Sequence, residues 1–171
     1  ATYKHTKDKM KLLWSGDLRI NTVHVTDVAR ALWHLCLHGE VGKVYNLADK
    51  NDTTQKKLNE ILGAIFKIET GFMGAAISTL ASTRLTAVVN TANDNHMGPW
   101  SDMCKEYNIK FTPLSPYLDK ELLYNNALAI DGTAIEETKF EYTVPTMTRQ
   151  LVEEEIKYFV DLGLFPKEVL Q

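Results

Sequence analysis

The chain has 171 residues, 44% of them hydrophobic and 24% charged, with a formal net charge of −3. That length and balance suit one globular domain over residues 1–171, large enough to bury a core. They exclude the basic footprint of a nucleic-acid binder, a membrane-spanning run and, with two cysteines, a disulfide framework.

The first residues, ATYKHTKDKMK, are polar and lysine-rich without the apolar stretch of a signal peptide, so a cytoplasmic protein is expected. A chain opening on Ala rather than Met fits a fragment or a processed product. Met10, Leu13 and Trp14 suggest a short helix, and Ser15, Gly16 and Asp17 a turn. Residues 21–25 are β-rich, with Val23 and Val25 on one face. Thr26 and Asp27 are N-cap types, and Val28, Leu32, Leu35 and Cys36 form the buried stripe of the helix they open. Gly39 and Gly42 are expected to end it through left-handed backbone. Residues 44–48 read as the next strand, and Asp52 with Gln55 as a capping box.

Leu58, Ile61, Leu62 and Ile65 mark a second amphipathic helix, and residues 71–74 a loop. Residues 75–93 suggest a third helix with Ile77, Ala81, Leu85 and Val88 inward. Asn93, Asp94 and Asn95 should interrupt it, and Gly98 and Pro99 open another that buries Trp100, Met103, Cys104 and Tyr107. A helix is expected over residues 118–127. The last runs over residues 148–162, with Leu151, Val152, Ile156, Phe159 and Val160 inward and Gly163 at its end. Cys36 and Cys104, both on apolar stripes, read as buried free thiols.

The run VHVTDVARAL followed by GKVYNLAD resembles the later half of the extended short-chain dehydrogenase/reductases, the NAD(P)-dependent epimerase/dehydratase family. Residues 128–166 resemble that family's C-terminal end, whereas residues 71–123 match no pattern and are expected to form substrate-lobe helices. The resemblance implies an α/β fold, helices on a small, partly parallel sheet, with the Rossmann-like nucleotide-binding half absent. It implies a substrate-binding portion of an NAD(P)-dependent oxidoreductase, epimerase or dehydratase, incomplete alone. The alternative is a non-catalytic α/β interaction module built on the same fold. NAD or NADP is expected for the complete protein and none for this chain, which lacks G-x-G-x-x-G between a strand and a helix. The expected partners are a small-molecule substrate and the missing N-terminal half. Exposed strand edges should make the isolated chain self-associate.

No catalytic residue is assigned within the chain. Tyr3 and Lys7 have the Y-x-x-x-K spacing of the family's catalytic pair but lie too close to His24 in sequence. The family's phosphate-gripping arginine corresponds to Ile20. Arg19 is one residue early, which on a strand turns it to the other face. Arg19, His24 and Asn46, with Arg84, His96 and Trp100 of the middle segment, are the candidate substrate contacts. For four of them a plainer reading stands beside that one: a surface charge for Arg19, a satisfied histidine for His24, a solvated loop for His96 and core for Trp100. Asp27 reads as a cap. His34 and His38 have helical zinc-ligand spacing but no third ligand, so a solvated face is expected and no metal site.

Overall fold

The computed structural model describes residues 1–170. Two short strands, β1 (Met10–Leu12) and β2 (Thr70–Phe72), pair in parallel, with Met10 opposite Thr70 and Leu12 opposite Phe72. Strand β1 stands where a short helix was expected, and β2 where a loop was. The reason is period two: Met10 is buried, Lys11 exposed and Leu12 half-buried, which suits a pleat rather than a helical face. Around this sheet lie α1 (Thr2–Thr6), α2 (Val25–His38), α3 (Gln55–Phe66), α4 (Ala75–Glu106) and α5 (Arg149–Asp161). Helix α3 packs on both strands and on α5, and α1 packs on α4. The architecture is therefore α/β, helices on a small parallel sheet.

Helix α2 starts two residues earlier than a Thr26 cap implies. His24 is its cap, the imidazole Nδ1 accepting the Thr26 N–H at 3.3 Å. Asp27 is instead wholly buried. Its Oδ1 accepts from the Thr143 N–H at 2.9 Å, the Thr143 hydroxyl at 2.7 Å and the Arg30 guanidinium at 2.7 Å. Its Oδ2 accepts from the Val144 N–H at 2.8 Å. One carboxylate thus ties the first turn of α2 to a loop more than a hundred residues away. The inward residues of α2 are Ala31, fully buried, with Val28, His34 and Leu35 half-buried. Leu32 and Cys36, expected inward, are exposed, and Leu32 joins Val25, Trp33 and Leu37 among the exposed large apolar residues of the helix. Gly39 is not left-handed but at φ −75. Glycine is needed there because a Cβ would sit 2.7 Å from the Leu35 carbonyl oxygen.

Residues 44–48, expected as a strand, alternate exposed and half-buried from Val44 to Leu47 but belong to no ladder. Residues 21–24 likewise run into α2 with no strand assigned. The cap of α3 is Thr54, whose hydroxyl accepts the Lys57 N–H at 3.4 Å. Asp52, expected to cap it, sits at φ +46 and pairs with Arg19 at 3.4 Å.

Helix α4 runs through the polar triplet that suggested a break and through Pro99; its non-helical residue is Arg84, at φ −133 and ψ 42. The triplet stays helical because Asn93 points inward. Its side-chain Oδ1 accepts the Leu118 N–H at 2.8 Å and its Nδ2 donates to the Leu118 carbonyl at 2.9 Å. Residues 118–127 form only a 3-10 turn, Lys120–Leu123, since Leu122 is 74% exposed and no apolar face holds a longer helix. Helix α5 begins after its Thr148 cap and ends before Gly163 at φ +70, as expected.

Most of the buried apolar residues fall into three clusters. Ile65, Phe66, Trp100, Met103 and Val169 form one; Leu13, Trp14 and Ala81 another; Ala31, Ile135 and Phe140 the third. The accessible surface is 10834 Å² for a 19.4 kDa chain. A compact chain of that mass exposes about 8,500 Å². Among the described residues no helix is long and apolar enough to cross a membrane.

Burial alone would raise the pKa of Asp27. The bonds from Thr143, Val144 and Arg30 outweigh it and bring it down to about 2. A depressed carboxyl contributes stability that is complete above its unfolded value near ~4 and lost as pH falls through the folded value. Acid titration should therefore remove roughly 2 kcal/mol between about pH 4 and pH 2. Asp27→Asn should lower urea stability at neutral pH by on the order of 3 kcal/mol. A loss under about 0.5 kcal/mol would contradict the anchoring role.

Candidate functional site

A cavity of about 320 Å³ opens where residues 22–25, residues 144–147 and α5 meet. Its walls are Val23, Val25, Val144, Met147, Leu151, Val152 and Ile156, and its polar lining is Thr22, His24, Asp49 and Glu155. The Asp27 bonds create this meeting, since Val23 and Val25 lead into the helix that Asp27 anchors to Thr143 and Val144. The apolar stripe of α5 supplies the opposite wall. The size and the mostly apolar lining are those of a small-molecule site.

The polar side is built from a short network. Asp49 is 8% exposed. Its Oδ2 accepts from the Thr22 hydroxyl at 2.6 Å and its Oδ1 from the Asn51 N–H at 2.9 Å. Thr22 lies 3.2 Å from the fully buried Thr53 hydroxyl, to which Asn51 donates at 2.7 Å. The Lys57 ammonium donates to Asn51 Oδ1, so the nearest basic group in the network is spent on the amide. His24 accepts at Nδ1, which places the ring proton of the neutral imidazole on Nε2.

Of the candidate contacts, only His24 lines this cavity. Arg19 pairs with Asp52, and its backbone bridges Thr54. Asn46 is exposed on the unladdered segment. Arg84 is exposed at the irregular point of α4. His96 is half-buried in α4 rather than in a loop, with its ring edge-on to Tyr3 at 4.7 Å. Burial lowers its pKa, with Asp8 acting in the other direction. Trp100 is core, 9% exposed and beside Phe165. The residues that reading the chain missed are Asp49 and Met147. The run of polar residues around Asp49 carried only a capping signal, and Met147 had no periodic neighbour to mark it.

Tyr3 is raised in pKa by burial and by Asp8. That is opposite to the direction a catalytic tyrosine beside a lysine requires. His34 is not solvated: its Nε2 lies 2.9 Å from the Thr138 hydroxyl and its ring packs on Phe140. Among the described residues no group of three or more His, Cys, Asp or Glu is arranged to hold a metal. The N-termini of α2, α3 and α5 are closed by the side chains of His24, Thr54 and Thr148. Helix α4 follows β2 through Gly74 with no side-chain cap, but no described strand follows it to complete a β-α-β unit.

Comparison of the chain with protein-family models, with curated proteins and with solved structures finds no match.

The two thiols separate by environment. Cys36 is exposed, correcting its expected burial, whereas Cys104 is half-buried with its pKa raised by that burial. A thiol reagent should modify Cys36 rapidly in the native protein and Cys104 only as urea unfolds it. Equal rates in native buffer would contradict the placement of α2's outer face.

Proposed function

We propose that this chain is the C-terminal, substrate-side portion of an NAD(P)-dependent oxidoreductase, epimerase or dehydratase of the extended short-chain type, with nucleotide binding and catalysis supplied upstream. The observation that carries the reading is the segment 44–47 beside α2. The backbone groups of Val44, Asn46 and Leu47 have no hydrogen-bond partner among the described residues. Tyr45 and Leu47 pack inward against the Ala31, Ile135 and Phe140 cluster while Val44 is 80% exposed. A segment that alternates between a covered and an open face but has no ladder is what an edge strand becomes when its neighbouring strand is missing.

The outer face of α2 points the same way. A helix apolar on two sides is built to be covered on both. The surplus surface, roughly 2,300 Å², exceeds one side of a standard protein interface and suits an obligate one. The residues that match the family's pattern, VHVTDVARAL and GKVYNLAD, are those that bear these uncovered faces. In this reading the chain orients a small-molecule substrate, and the hydride chemistry belongs to NAD or NADP held by the upstream half.

Thermal shift separates the outcomes. With NAD or NADP at about 100 times the dissociation constant, a native-state ligand adds ~2.7 kcal/mol. The isolated chain should show no shift, and the chain extended through its upstream reading frame should show one. A shift in the isolated chain would overturn the fragment reading. No shift in either would favour a non-catalytic interaction module.

A further inference from the structure

We propose that the cavity between residues 22–25, residues 144–147 and α5 is a binding site for a small amphiphilic amine, with an apolar body and one ammonium group. The proposal is independent of the dehydrogenase reading, because the cavity is formed wholly by this chain.

The decisive group is Asp49. The residue is more than nine-tenths buried, lines the cavity and forms no ion pair with any described residue. A buried carboxylate is costly unless a cation or several donors compensate it. Asp49 has one donor on each oxygen, the Thr22 hydroxyl and the Asn51 N–H, which leaves about half of its acceptor capacity open. Asp27, the other buried carboxylate of this region, shows what full compensation looks like: four bonds, one of them from an arginine.

The remaining lining agrees in charge. Glu155 is exposed at the rim and has no ion-pair partner among the described residues, and no lysine or arginine contributes to the lining. An anion would therefore meet two carboxylates and no cation. An ammonium would gain charge-assisted hydrogen bonds in a setting walled by Val23, Val144, Met147 and Ile156. A volume of about 320 Å³ holds a ligand of an aromatic ring with a short alkyl chain.

The probes are phenylbutylammonium, its neutral counterpart phenylbutanol and the anion phenylbutanoate, titrated into the chain with methyl NMR as the readout. The amine should shift the Val23, Met147 and Ile156 methyls and bind at least about tenfold more tightly than the alcohol, with the carboxylate weaker than both. Glu155→Gln, at an exposed position that leaves folding intact, should reduce the amine's preference several-fold without changing alcohol binding. Asp49→Asn, where it folds, should abolish the preference. Ile156→Trp should fill the cavity and remove binding of all three. Equal affinity for amine, alcohol and carboxylate would overturn the proposal, and so would amine shifts confined to residues outside the cavity or absent altogether.

Discussion

Four hydrogen bonds to one buried carboxylate hold this structure in its arrangement. Asp27 takes the N–H groups of Thr143 and Val144, the Thr143 hydroxyl and the Arg30 guanidinium. Through them the start of α2 is fixed against a segment near the far end of the chain. The consequences run outward from that point. Ala31, one turn on, packs with Ile135 and Phe140. Arg30 also lies over the Phe140 ring at 5.1 Å, an additional contact between the same two regions. Val144 and Met147 are brought opposite Val23 and Val25, and the cavity is the space that remains between them and α5.

What this anchor does not supply is a cover for the other side. Leu32, Trp33 and Leu37 of α2 and Val44 of the segment that follows it are all more than 60% exposed. Isolated exposed apolar residues are ordinary, but several within one short stretch of chain that also carries unpaired backbone are not. The division of the core into three clusters has the same cause in this account: the layer that would join them belongs to the proposed upstream half.

Much of the helix content was legible because it obeys a single period. The stripes of α3 and α5 and the Thr148 and Gly163 ends of α5 emerge from residue type and spacing alone, and so does the inward face carrying Trp100 and Met103. The failures have physical reasons. Helix α2 carries apolar residues on two faces, so its periodicity could not tell which face this chain buries; Ala31, small and easily overlooked, is the one at the contact. Asn93 and its neighbours read as a break because the long-range bond to Leu118 that keeps asparagine in a helix leaves no trace in local sequence. Strand β2 was hidden because Gly71 and Gly74 signal a turn more loudly than three residues signal a strand. In the cavity, His24 was visible from its motif, but Asp49 and Met147 depend on a fold-level meeting of distant segments.

Amide hydrogen exchange at residues 44–47 tests the proposed incompleteness most directly. The account predicts that the Val44, Asn46 and Leu47 amides exchange almost without protection in the dilute isolated chain, while amides in the middle of α2 are protected. In the chain extended through its upstream reading frame, the 44–47 amides should become as slow as those of α2. Protection already present in the isolated chain, or fast exchange in both proteins, would contradict it.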